Sequence, residues 1–366
     1  EKSTTLNLGL DFAFLSNRLQ FSGDIYQRKT TDMFTVGMSL PAVFGTDVPK
    51  GNYADLTTKG FELSVSWRDQ FQLASKPFNY EVRFTLADYQ STIDKYNNPE
   101  KKLGDDYYYE GMKVGEIWGY ETEGFFTSQA DIDSHAKQPY FYAGATAGQW
   151  LPGDIKFKDL NGDGVIDYGN NTVDNPGDQK IIGNSEPRFI YGINLSGDWN
   201  NFFVSAFFQG VGKQDWWPGS EASYFWGMYN RPYNDMPKSH LGNIWTEENP
   251  NTYFPRLRGY SSEEPYAELN LKQTRYLQNI AYIRMKNIQL GYTLPKSFIS
   301  KLRMQNAKVY VSGENLWSWS PFYKYSKDLD VEAVRGSDRD LTEGTSGNGY
   351  SYPILKSVSF GLSVTF

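Results

Sequence analysis

Asp159, Asn161 and Asp163 occupy the first, third and fifth places of Asp159-Leu160-Asn161-Gly162-Asp163-Gly164-Val165-Ile166-Asp167. Side-chain oxygens at this spacing are what a calcium loop offers, with Gly164 permitting the sharp turn and Val165 presenting a backbone carbonyl. Asp167 reaches such an ion directly or through a water. The twelfth place holds Asn170, where a helix–loop–helix calcium site carries a bidentate Glu. Asp178, one turn further on, is the candidate for the missing carboxylate. The same residues also make a turn that satisfies itself, because Asp and Asn side chains bond nearby backbone N–H groups. On the sequence both readings stay open.

A second chemistry lies in the aromatics of the polar connections. Trp216, Trp217, Tyr224, Phe225 and Trp226 crowd one of them; Trp317, Trp319, Phe322 and Tyr323 crowd another. Trp216, Trp217, Tyr224 and Trp226 are candidates to stack on a substrate such as a sugar ring. Packing within the loop, or a belt at a membrane interface, is the competing reading. Catalytic constellations are poor. His135 and His240 have no metal-type spacing, nothing brings two carboxylates together as a glycosidase needs, and Gly-rich phosphate motifs are absent. The chain is read as a non-enzyme. The lack of Cys excludes disulfides and thiolate metal sites. A net charge of −7 argues against a nucleic-acid partner, which needs clustered Lys and Arg.

The elements that must carry these loops are strands. Mean hydropathy is −0.59, and no apolar run is long enough for a transmembrane helix. A barrel strand also averages out to polar, because lipid-facing and lumen-facing residues alternate. Aromatics make up 17 % of the 366 residues, as barrels with interfacial girdles require. Leu6, Leu8, Leu10, Phe12 and Phe14 alternate with polar or small residues, and the pattern recurs at Leu19–Ile25, Phe61–Trp67, Tyr80–Leu86, Tyr191–Leu195, Phe202–Phe208, Ile288–Leu294, Val309–Val311 and Val358–Phe366. That predicts nine strands, most of about ten residues, the length a tilted strand needs to cross a bilayer.

The connections alternate too. Those at Asp69–Asn79, near Asn200 and at Pro295–Asn306 are short, as is the first turn at Ser16-Asn17; those at Lys29–Thr57, Ser91–Pro187, Gly210–Ala281 and Leu316–Lys356 are long. Short periplasmic turns and long extracellular loops are the rule for outer-membrane barrels. The reading is an antiparallel transmembrane β-barrel, all-β and partial, in one domain over 1–366. An odd number of strands is expected to precede Glu1, since bacterial barrels close on even counts. No signal peptide is seen, so an exported chain would carry it upstream. A secreted carbohydrate-binding or glycan-hydrolysing β-protein is the alternative.

Several segments carry a resemblance. Val114-Gly-Glu-Ile-Trp-Gly-Tyr120 with Glu123-Gly-Phe-Phe126, Pro152-Gly-Asp154-Ile-Lys156, Ile181-Ile-Gly-Asn184 with Pro187–Phe189 and Tyr191-Gly192, Tyr282-Ile-Arg-Met-Lys-Asn287 with Leu290-Gly-Tyr-Thr-Leu-Pro295, Val309-Tyr-Val-Ser-Gly-Glu-Asn-Leu316 and Phe360-Gly-Leu-Ser-Val-Thr-Phe366 appear in order. Together they resemble the SusC/RagA family of TonB-linked outer-membrane transporters of Bacteroidetes. The resemblance implies a 22-stranded barrel, of which these are the C-terminal strands. It implies a plug and early strands outside this sequence, and energy supplied through TonB, ExbB and ExbD. A SusD-like surface lipoprotein would capture glycan or peptide above the barrel. Phe366 would be the terminal signal read by the barrel-assembly machinery.

Overall fold

The computed structural model describes residues 1–36, 43, 45, 48–104, 107–139, 150–220, 222–231, 233–258, 262–263, 267–334 and 352–366. Its strands are β1 (Lys2–Phe14), β2 (Leu19–Val36), β3 (Lys50–Leu73), β4 (Lys76–Lys95), β5 (Glu116–Tyr120), β6 (Thr122–Phe125), β7 (Ile155–Phe157), β8 (Gln179–Asn184), β9 (Arg188–Trp199), β10 (Phe202–Lys213), β11 (Asp215–Trp216), β12 (Gln278–Asn279), β13 (Tyr282–Thr293), β14 (Asn306–Trp319) and β15 (Ser357–Thr365). Three short helices, α1 (Gln129–Ser134), α2 (Ser223–Trp226) and α3 (Lys296–Ile299), lie in the connections.

Nine of these strands form one sheet in the order β1-β2-β3-β4-β9-β10-β13-β14-β15. Every pairing is antiparallel. All nine strands expected from the alternation are present. The sheet is open, with β1 and β15 at its edges. At one end the turns are tight. Ala74 and Ser75 join β3 to β4 with φ of 49° and 63°, and Asn200 and Asn201 join β9 to β10 with φ of 48° and 71°. Two successive left-handed residues match the twist of the flanking strands, so such turns close hairpins without splaying them.

The strands run further than the alternation predicts. β2, β3 and β4 have 18, 24 and 20 residues. Past Ile25, Phe61 and Leu86 the apolar residues thin out and bulges at Thr30–Phe34 and Asp55–Leu56 shift the register, so no single period of two runs through these ends. The long connections shrink accordingly: 29–57 becomes 37–49, and 91–187 becomes 96–187. The short connection 295–306 holds α3.

One face of the sheet is apolar across all nine strands in a band toward the tight turns. A single register row runs Phe12, Phe21, Val65, Phe84, Ile193, Phe208. Another runs Val204, Leu290, Val311, Phe360. These side chains point away from the rest of the protein: Leu8 is 63 % exposed, Leu362 67 % and Phe360 87 %. The opposite face carries Ser22, Ser64, Thr85, Gly192 and Gln209 in one row. Glycines there admit aromatics from the next strand. A Cβ on Gly361 would fall 2.1 Å from the Tyr310 ring.

The hydrophobic core lies in the connections beyond the sheet, not on the apolar face. Trp216, Phe225, Trp226, Tyr229, Phe254, Leu269, Tyr276 and Phe322 are almost fully buried together. Three small two-stranded antiparallel pairings, β5 with β8, β6 with β7 and β11 with β12, frame them.

Candidate functional site

Two surfaces carry the polar chemistry: the polar face of the sheet and the loop assembly at its long-connection end. On the sheet, Ser22, Asp24, Glu62, Ser64, Thr85 and Gln209 line a groove of about 410 Å³. Asp11, Gln20, Ser66 and Arg83 line its neighbour. Period-two alternation puts all of them on this face. Asp24 and Glu62 sit directly opposite each other in the ladder. Like charges so placed repel, and the amide of Asn7, 3.1 Å from Asp24, offsets only part of that. The face offers hydrogen-bond donors, acceptors and net negative charge to whatever occupies it.

The loop assembly is tied to this face by ions. β13 carries Arg284, whose guanidinium donates to Asp330 at 2.6 Å and lies 3.0 Å from Glu332. Lys286 donates to Glu332 at 2.6 Å. Lys286 is the extra residue of a bulge between Met285 and Asn287. A bulge re-aims side chains and reverses the alternation beyond it, which is why no simple pattern reading assigns Arg284 and Lys286 a face. Together they hold segment 321–334 down on the sheet.

A second network lies deeper. Asp154 is fully buried and accepts from Arg256 at 2.5 Å and from Arg258 at 3.0 Å. Glu268 accepts the backbone N–H of Ile155 at 3.0 Å. Burial first, then the nearby Asp154 charge, pushes the Glu268 carboxyl up to about 8, against the pull of Arg258. Gly153 turns with φ of 90°, and a Cβ there would lie 2.3 Å from the Trp245 ring. The Pro152-Gly153-Asp154 segment is thereby accounted for: a tight bend under an indole delivers a carboxylate to two arginines about a hundred residues away. These partners were invisible to sequence reasoning, because no local pattern links them.

The aromatic candidates separate. Trp226 is 0 % exposed and donates from Nε1 to the carbonyls of Pro218 and Gly219; Trp216 is 5 % exposed. Neither has a face to offer a ligand, so the substrate-contact reading is corrected for both: they are core. Trp217 packs partly buried against the same core. Tyr224 is 54 % exposed. Trp317 and Trp319 stand on β14, not in a loop, opposite Met285 and Ile283, and extend the apolar face at its long-connection end. His240 is buried, its Nε2 donating to Phe225 O, 2.9 Å away; burial pulls its imidazole below the usual range.

The Asp159 loop folds as a self-bonded turn. Asp159 accepts from Gly162 N at 2.6 Å and Gly164 N at 2.9 Å. Asp163 accepts from Val165 N at 2.8 Å, and Asp167 from Gly169 N at 2.7 Å. Asn161 accepts from Asp163 N at 2.9 Å. Asp178 is fully buried and takes Leu160 N at 2.7 Å and Asp167 N at 2.9 Å. Asp178 closes the loop through backbone N–H groups. Among the described residues no group of three or more His, Asp or Glu is gathered as a metal would need.

No family model matches the chain. It is 28 % identical to TonB-dependent receptor P3 of Formosa agariphila, over all of this chain and 34 % of that protein. It is 22 % identical to TonB-dependent receptor SusC of Bacteroides thetaiotaomicron, over all of this chain and 32 % of the relative. The structure of the RagAB peptide transporter superposes on the whole chain with a TM-score of 0.67 at 19 % identity, over 35 % of its own length. Over its whole length the chain is similar in sequence to these TonB-dependent receptors, and its fold is that of the matching part of the RagAB structure. It spans about a third of the length of the curated relatives it matches. Those relatives are receptors and importers rather than enzymes, in agreement with the poverty of catalytic residues. The SusC/RagA-like fold also explains why the nine-stranded sheet is open: in the matched structure it aligns with one part of a larger chain.

Proposed function

We propose that this SusC/RagA-like segment is the C-terminal wall of an outer-membrane importer driven through TonB, ExbB and ExbD. The observation that carries the reading is the apolar face, continuous across nine strands and exposed along its whole width. In water such a surface far exceeds what a soluble protein tolerates. In lipid it is the required exterior, and the polar face becomes the lumen. The hairpin turns would then face the periplasm and the loop assembly the cell exterior. The substrate would be an oligosaccharide, with peptide as the alternative. Tyr224 and Trp217 remain the aromatic candidates to meet it above the lumen, where a SusD-like lipoprotein would dock. The lumen groove with Asp24 and Glu62 would meet a plug from outside this sequence. Phe366, 76 % exposed at the end of β15, would present the assembly signal. A calcium ion would bind at the Asp159 loop through the lone pairs these oxygens keep beside their N–H bonds.

Cysteine labelling of the full-length protein tests this. Asp133→Cys, on α1, should react with a membrane-impermeant maleimide on intact cells. Lys301→Cys, in the short β13–β14 connection, should react only after the outer membrane is opened. The reverse pattern would refute the orientation, and labelling of both on intact cells would refute the membrane wall.

A further inference from the structure

The border of the apolar face toward the long connections has its own pattern. On β1 the apolar residues end at Leu6, and the next charged residue on that face is Lys2. On β2 they end at Ile25, followed by Lys29; on β3 at Phe61, followed by Lys59. β4 ends at Leu86, followed by Asp88, which Arg188 of β9 holds through two bonds of 2.6 Å.

The register places these cations in a staircase. Lys2 pairs with Thr31 and Lys29 with Thr4, so Lys2 and Lys29 are diagonal neighbours. Lys29 pairs with Thr57 and Lys59 with Gln27, so Lys29 and Lys59 are diagonal neighbours too. Diagonal neighbours on one face lie roughly 7–8 Å apart. Barrel strands tilt by about 35–45°, so a line of constant depth crosses the register diagonally. The apolar border also rises across these strands, through Leu6, Ile25, Phe61 and Leu86, with Ile25 and Phe61 directly opposite each other. Lys2 and Lys29 stand four residues beyond it and Lys59 two, so the staircase lies just above the apolar belt.

Lys2, Lys29 and Lys59 are exposed. Among the described residues none of the three joins an ion pair. The one carboxylate on the border, Asp88, is neutralised by Arg188. The next acid on that face, Asp94 of β4, is bonded by Thr57. Three free ammonium groups one staircase step apart are a repulsive arrangement unless anions lie between them.

We propose that this staircase binds the phosphate groups of lipid headgroups in the leaflet around the barrel. The inference rests on the membrane reading above and adds the chemistry of the surrounding lipid. Ammonium groups at this depth meet headgroups rather than acyl chains, and their long stems carry the charge to the interface. Spacing across two strands lets neighbouring lysines share one phosphate or bridge two.

The test uses the full-length protein in neutral detergent micelles, titrated with dioleoyl phosphatidic acid or dioleoyl phosphatidylcholine. Native mass spectrometry counts the lipid retained. Wild type should retain phosphatidic acid, whose phosphate has no cation in its own headgroup, at least ~10-fold more tightly than phosphatidylcholine, and K2Q/K29Q/K59Q should lose most of that preference. Equal retention of the two lipids by wild type overturns the proposal, as does an unchanged preference in the triple variant. Heat-modifiable gel mobility of the same samples separates the two readings. A wild type that shifts on heating yet shows no preference for the anionic lipid refutes the staircase alone. A wild type that never shifts refutes the membrane wall, and the staircase with it.

Discussion

The sheet and the loop assembly use the same kinds of side chain in opposite senses. On β15, Leu362 and Phe360 stand outside, 67 % and 87 % exposed; in α2, Trp226 is sealed at 0 %. Charges invert as well. The sheet keeps its ionisable groups on the polar face or beyond the apolar border. The loop assembly buries Asp154 under two arginines and Glu268 beside them. The contrast follows from two surroundings. The loops fold as a globular protein does, apolar side chains inward and every buried charge paired. The sheet has no interior of its own, and its apolar side is stable only where the surroundings are apolar too.

The largest expected effect tests the loop half. Trp226→Ala removes the centre of the aromatic core and should destabilise the loop assembly by ~3–5 kcal/mol. Limited proteolysis of the full-length protein should cut the loops while heat-modifiable mobility persists. If mobility is lost with the loops, the two halves fold as one and the contrast fails. The next tests the sheet half. Leu362→Arg places a charge on the apolar face, at a cost of about 2–4 kcal/mol near the bilayer midplane. Ser363→Arg places the same charge on the polar face one residue away. Membrane yield should fall for the first and hold for the second; equal yields would mean that the final strand does not face lipid.

A smaller effect sharpens the electrostatic side. The Glu268 carboxyl is raised to about 8, above its unfolded range. Protons are then bound more tightly by the folded loop than by the unfolded chain. The contribution is full below about pH 4.5 and lost as pH rises through about 8. Loop protection from protease should therefore weaken between pH 7 and pH 9, and Glu268→Gln should flatten that slope. A slope unchanged in Glu268→Gln would place the titration elsewhere. The smallest effect concerns the Asp159 turn. Calcium should slow proteolysis of segment 159–178, and Asp163→Ala should abolish the difference. Equal digestion with calcium and with chelator would leave the N–H bonds as the only partners of these oxygens.

The sequence by itself determined the nine strands, their alternating connections and the two faces of the sheet. These are legible because a side chain's face is set by its own position in a period of two, and because each tight turn joins neighbours in sequence. Leu362 and Ser363 can be assigned from the alternation alone. The tertiary structure decided the rest. It extended β2, β3 and β4 where apolar residues are sparse and bulges interrupt the period. It placed Arg284 and Lys286 through a bulge that the alternation does not register. It buried Trp216 and Trp226 and left Tyr224 outside, although all three look alike in the sequence. Asp154 met Arg256 and Arg258 across about a hundred residues, and the border lysines were brought onto one diagonal by the register of separate strands. A period is a local property of the chain, whereas burial, partnership and depth belong to segments that touch only once the fold has formed.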